Sequence, residues 1–150
     1  MEEMRFVIAD DHEIVREGLR SLIEKQPGWK VVGEATNGRE AVERTKQLNP
    51  DVTVLDLQMP QLDGIEATRQ IRESGAQTKV LILTMHDSGA MIRRVIDAGA
   101  RGYIWKTDSA REFVTAVKAL RHDKIFLSEK ILGEFLNGSV GDGRGLGDGT

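Results

Sequence analysis

Five side chains could together do chemistry that none could do alone: Asp10, Asp11, Asp56, Thr84 and Lys106. Each lies at the end of a short run of aliphatic and β-branched residues, RFVIA before the Asp10-Asp11 pair, VTVL before Asp56, KVLIL before Thr84 and GYIW before Lys106. Such runs belong in a core, where an unpaired carboxylate is costly. If the three carboxylates meet, they repel, since two unit charges 4 Å apart interact by about 4 kcal/mol at an effective dielectric of 20. A cation is therefore expected. Oxygen ligands on a partly hydrated rim suit a small hard ion, Mg²⁺ first, with Mn²⁺ able to substitute. A hydroxyl and an ammonium beside that ion are what a phosphoryl group needs: a hydrogen-bond donor and a point charge for its oxygens.

For these groups to meet, the fold must bring separate strand ends to one place. Strand-like runs begin at Arg5, Lys30, Asp51, Lys79 and Gly102, and the gaps between them each hold one helix. That alternation predicts five βα units around a parallel sheet buried on both faces. Helix starts are marked where Asn37, Asp63 and Ser109 each stand three residues before a glutamate, a capping arrangement for orphan N–H groups. Pro27-Gly28, Asn49-Pro50, Gly75 and Gly99 mark the stops. Ile14, Leu19, Leu22 and Ile23 are read as the buried face of the first helix, and Ala41, Val42, Thr45 and Leu48 as that of the second. Right-handed crossovers then favour a flavodoxin-like (CheY-like), doubly wound, five-stranded parallel sheet of order 2-1-3-4-5 with helices on both faces. In that order strands one and three are neighbours, and their carboxyl ends flank the switch-point crevice where such folds bind ligands.

Composition excludes several other classes. The 150 residues contain no cysteine, so disulfides and thiolate-held metals are ruled out. A net charge of -3 offers no general attraction to nucleic acid or an anionic membrane. No apolar run reaches a membrane span or a signal peptide, and the chain is read as cytoplasmic. One folded body is expected over residues 1–124, with a short C-terminal helix within 125–136. Residues 137–150 carry six glycines in fourteen positions and are expected to be a disordered linker or tail.

The segments ADDHEIVREGL, DLQMPQLDG, LTMHD and AGARGYIWK resemble the receiver domain of bacterial two-component response regulators, in particular the NarL/FixJ (LuxR-type) subfamily. The resemblance covers residues 4 to about 136. It implies a signalling domain, not an enzyme with a separate substrate, that takes a phosphoryl group from a histidine kinase phosphohistidine onto Asp56. Asp11, Asp56 and the backbone carbonyl of Gln58 would hold Mg²⁺, with Asp10 acting largely through a bound water. Lys106 would bind the phosphoryl oxygens, and Thr84, by moving, would let Tyr103 turn inward. Gln58 and His86 would tune the water that later hydrolyses the aspartyl phosphate. The face made by the fourth helix, fifth strand and fifth helix would change partners, often by homodimerisation. DNA would be reached only through a C-terminal helix-turn-helix domain that these 150 residues do not contain, so the chain is either a fragment of a transcription regulator or a stand-alone receiver.

Two departures from the family pattern bear on switching. Thr107 follows Lys106 where many receivers have proline, and Trp105 is bulkier than the usual aliphatic residue. Simpler roles are assigned to Asp63, as a helix cap, and to His12 and His86, as solvated imidazoles unsuited to Mg²⁺. Arg93, Arg94 and Arg101 are read as a solvated face, with partner docking as the alternative. Two further functions remain open: a receiver-like docking domain that works without phosphorylation, and a Mg²⁺-dependent hydrolase of small phosphate esters. Against the hydrolase, Gln58 stands where such enzymes carry a second aspartate.

Overall fold

The computed structural model describes residues 3–85, 89–108, 110–133 and 136. Elements alternate along the chain as β1 (Met4–Ala9), α1 (Glu13–Glu24), β2 (Trp29–Ala35), α2 (Gly38–Leu48), β3 (Val52–Asp56), α3 (Gly64–Glu73), β4 (Lys79–Thr84), α4 (Gly89–Ala98), β5 (Gly102–Trp105), α5 (Ala110–Arg121) and β6 (Phe126–Leu127). The sheet order is β2-β1-β3-β4-β5-β6, and every pairing is parallel. The flavodoxin-like order expected from sequence is present.

The strand count needs correcting from five to six. Phe126 and Leu127 pair in parallel with Gly102 and Tyr103 on the outer edge of β5. An open strand edge leaves N–H and C=O groups unpaired, and this segment satisfies them: Phe126 N donates to Arg101 O at 2.8 Å and Ser128 N to Tyr103 O at 3.2 Å. Successive strand side chains face opposite ways, so Phe126 packs against one core and Leu127 against the other. Within the segment read as a C-terminal helix, the chain is thus extended at 126–127, and turns helical only at 129–133.

Two cores sandwich the sheet. One joins Leu19 and Ile23 of α1 and Phe113, Val117 and Leu120 of α5 to Phe6, Ile8, Val52, Val54 and Ile104. The other joins residues of α2, α3 and α4 to Leu55, Ile82, Tyr103 and Trp105. The period-2 alternation along each strand makes this division, with odd and even positions of β3, β4 and β5 entering different cores.

The caps on α2 and α3 form as the sequence suggests. Asn37 accepts from Glu40 N and Asp63 from Glu66 N, each at 2.9 Å; Ser109 lies outside the described residues. The first helix differs: Ile14 is 83% exposed, and Val15 packs against the core beside Leu22 in its place. At 100° per residue Ile14 points well away from Ile23, and Val15 closes the stripe.

Phe6 is fully buried, its ring 5.3 Å from that of Trp29. Phe6→Ala should lower the unfolding free energy by about 3–5 kcal/mol, measured by urea denaturation followed through tryptophan emission, with an unchanged m-value.

Candidate functional site

The strand alternation that builds the cores also aims the candidate groups. Asp10 continues the parity of Phe6 and Ile8, Asp56 that of Val52 and Val54, and Lys106 that of Ile104, all of the α1/α5 core. Three strand ends therefore extend their side chains from the same side of the sheet. Lys106 Nζ lies 2.8 Å from Asp10 Oδ2 and 3.0 Å from Asp56 Oδ2, linking β5 to β1 and β3. Its contact with Asp56 is an aligned hydrogen bond. The contact with Asp10 Oδ2, also buried, is an ion pair of similar length.

Asp11 and His12 complete the cluster. His12 Nδ1 stands 3.0 Å from Asp10 Oδ1 and 3.1 Å from Asp11 Oδ1, and the His12 backbone N–H donates to the same Asp10 oxygen at 2.8 Å. Ligand atoms of Asp10, Asp11, His12 and Asp56 all lie within 4.8 Å of one another. His12 is 65% exposed, in keeping with the solvated imidazole expected from sequence, and its place beside the cluster follows from its position two residues after Asp10, where an aspartate side chain caps the backbone two residues on.

Burial decides the electrostatics. Burial raises the Asp56 carboxyl above its ordinary range, more than the Lys106 hydrogen bond lowers it, and the neighbouring Asp10 charge adds to the rise. For Lys106, burial works toward a lower value, but contacts with Asp10 and Asp56 outweigh it and hold the ammonium above its usual range. The cluster thus contains, in Asp56, a carboxylate whose charge burial disfavours and, in Lys106, a firmly charged cation. The carboxylates of Asp10, Asp11 and Asp56 bring oxygens close enough together to fit a hard divalent ion.

A cavity of ≈ 590 Å³ opens over these groups, lined by Asp11, Asp56, Gln58 and Lys106 on the polar side and by Met59, Ile65, Met85 and Met91 on the other. The apolar wall gave no separate signal in the sequence, because its residues come from β-α loops and from α3 and α4. Gln58 N donates to Asp56 Oδ1 at 3.2 Å. Thr84 is buried at the end of β4, opposite Trp105, and its carbonyl accepts from Lys106 N at 2.9 Å. It follows the parity of Val80 and Ile82, on the side of Tyr103 and Trp105, and is not among the residues lining the cavity. Tyr103 is fully buried. His86 lies outside the described residues.

Gly64 keeps the acceptor loop tight. A Cβ there would come 2.8 Å from both Asp56 O and Leu57 Cα, so only glycine lets α3 begin against the end of β3. Gly64 N donates to Leu57 O at 2.8 Å.

A doubly wound sheet with an acidic cluster and a lysine at its carboxyl edge defines a class, and the comparisons place the chain within it. The family described as response regulator receiver domain matches residues 6–118. LiaR, a transcriptional regulatory protein of Bacillus subtilis, is 40% identical over 134 residues, which cover 89% of this chain and 64% of LiaR. A two-component response regulator of the LuxR family from Aurantimonas superposes with a TM-score of 0.86 at 40% identity, over 90% of this chain and 96% of that one. The isolated receiver domain of RcsB from Salmonella enterica, solved with the phosphomimetic BeF3-, gives 0.81 at 29% identity, over 88% of this chain and 98% of that one. The chain belongs to the response-regulator receiver domain family, in its LuxR/NarL branch. It spans a little under two thirds of the length of LiaR.

Because the folded-state pKa of Asp56 lies above its unfolded value, stability from its proton is fully present below the ordinary value of 3.8 and is lost as pH rises through the folded value. At neutral pH the ionised group therefore destabilises the fold. Without divalent ions, Asp56→Asn should unfold at higher urea than the parent at neutral pH. The gap should close as the solution is acidified, read from paired denaturation midpoints.

Proposed function

We propose that this receiver domain accepts a phosphoryl group on Asp56 from the phosphohistidine of a sensor histidine kinase, or more slowly from a small acyl phosphate. The observation that carries the reading is Lys106 Nζ held within 3.0 Å of buried carboxylates from two different strands, with Asp11 at the same crevice. Asp11, Asp56 and the Gln58 carbonyl would hold Mg²⁺, with Asp10 acting through water. Bound there, the ion would offset the negative charge of the phosphoryl group and its acceptor.

An Asp56 oxygen attacks phosphorus while the bond from phosphorus to the donor nitrogen breaks, and its electron pair returns to the imidazole. Little covalent assistance is needed in a loose phosphoryl transition state, so positioning and charge do most of the work. Gln58 N fixes the carboxylate through Oδ1, leaving Oδ2 on the Lys106 side. Lys106 moves from bridging two carboxylates to binding phosphoryl oxygens, and Thr84 supplies its hydroxyl to the same group. Tyr103, on the side of the sheet that Thr84 follows, responds to that shift. Gln58 and His86 set the lifetime of the aspartyl phosphate.

The output surface would be the region of α4, β5 and α5, through which phosphorylation favours a homodimer or changes contact with a transcription-regulating domain. Among the described residues no helix is long and apolar enough to cross a membrane.

Incubation with Mg²⁺ and acetyl phosphate, followed by intact mass, should show a single phosphoryl adduct that disappears in Asp56→Asn. Lys106→Ala should slow its formation by a factor on the order of 10²–10³, the loss typical of one preorganised charge-stabilising group. An adduct that persists in Asp56→Asn would refute the assignment, and steady release of phosphate over many turnovers would favour a hydrolase.

A further inference from the structure

The segment after α5 is seated on the part of the sheet that the site would move. Phe126 and Leu127 extend the sheet beyond β5, and the chain then folds back so that Ile131 is fully buried in the core that holds Tyr103 and Trp105. Ser128, itself buried, starts this turn: its carbonyl accepts from Leu132 N at 2.8 Å, and its N–H donates to Tyr103 O. Lys130 Nζ lies 4.6 Å from the centre of the Trp105 ring, within cation–π range.

The closed position is opposed from within. Trp105 Nε1 is buried without an acceptor among the described residues, and a buried N–H without a partner penalises the conformation that hides it. With Lys130 over the same indole, lifting the segment would open that side of the ring to water, while Ile131 would lose its apolar seat. The balance between the two is set by the position of residues 103–106. One end of this stretch carries Lys106 in the acidic site and the other carries the Tyr103 carbonyl that holds Ser128.

We propose that residues 126–132 form a strap that closes over Tyr103 and Trp105 while Asp56 is unphosphorylated and lifts when it is phosphorylated. The inference rests on the reading of Asp56 as the phosphoacceptor. A phosphoryl group re-aims Lys106, shifts the end of β5 and loosens the strap, which uncovers the β5 edge and Trp105. The strap thereby joins the phosphorylation site to whatever follows the receiver in the chain. Coupling of this kind is reciprocal: an unseated strap favours the phosphorylated arrangement by the same factor.

Hydrogen exchange of the whole chain, with and without acetyl phosphate and Mg²⁺, tests this in samples whose adduct is verified by intact mass. The amides of Phe126, Ser128 and Leu132 should exchange at least about fivefold faster in the phosphorylated chain, the low end of typical coupling between sites. Ile131→Ala should speed the same amides without phosphorylation and tighten binding of beryllofluoride by a matching factor. Lys130→Ala, which removes only the ring contact, should do both to a smaller extent and guards against misfolding of the first variant. An Asp56 adduct with strap exchange unchanged or slowed overturns the strap and leaves the acceptor reading intact. Absence of an adduct overturns both.

Discussion

Charge crowding at the carboxyl edge of the sheet is the constraint on which the rest depends. Asp10 and Asp56 are buried side by side, Asp11 stands at the rim, and Lys106 is the cation held between the first two. One ammonium cannot compensate three carboxylates; the Asp56 carboxyl is raised chiefly by burial, and the neighbouring Asp10 charge adds to the rise. Such a site gains from any ligand that brings positive charge, and then from one that gives the positive charge something to bind. A divalent ion and a phosphoryl group meet those needs in that order. The buried strands on either side hold the carboxylates in place although burial disfavours the charge on Asp56, a local cost of the kind that functional sites retain.

Much of this was legible in the sequence because it depends on short-range rules. Buried parallel strands appear as continuous β-branched runs, and the caps at Asn37 and Asp63 are local patterns that the tertiary structure leaves intact. The convergence of Asp10, Asp11, Asp56 and Lys106 was readable because a doubly wound sheet has only one switch point to offer. What escaped was partly local angular detail and partly dependent on contacts distant in sequence. Ile14 looks like a core residue by type, and only the angular position of Val15 relative to Leu19 and Ile23 shows otherwise. The KIFLS stretch carries too few residues for a strand pattern, and it becomes a strand because β5 presents an open edge. The place of His12 beside the cluster follows from the Asp10 turn. The methionine wall of the cavity is assembled from separate elements, with no common motif.

The proposed chemistry and the proposed output surface would share one short strand. β5 contributes four residues, and Lys106 follows immediately. Tyr103 and Trp105 alternate with Ile104, so one side of the strand faces the α4 layer while Lys106 continues the other side into the acidic site. A change of charge at Asp56 therefore need not travel far to reach a surface. Packed interiors respond to such changes by shifting between discrete arrangements, and the fully buried Tyr103 is a side chain whose position would differ between them. Trp105, bulky for its place, shares a core with Ile92 and Val95 of α4 and with Ile131 of the returning C-terminal segment, and Lys130 lies over its ring.

The most direct test of the central claim is a crystal structure of the chain with Mg²⁺ and beryllofluoride. The account predicts one divalent ion bound by Asp11, Asp56 and the Gln58 carbonyl, beryllium bonded to an Asp56 oxygen, and fluorines contacted by Lys106 Nζ and the Thr84 hydroxyl. Beryllofluoride bound away from Asp56, or Lys106 still bridging Asp10 and Asp56 with the ligand present, would contradict it.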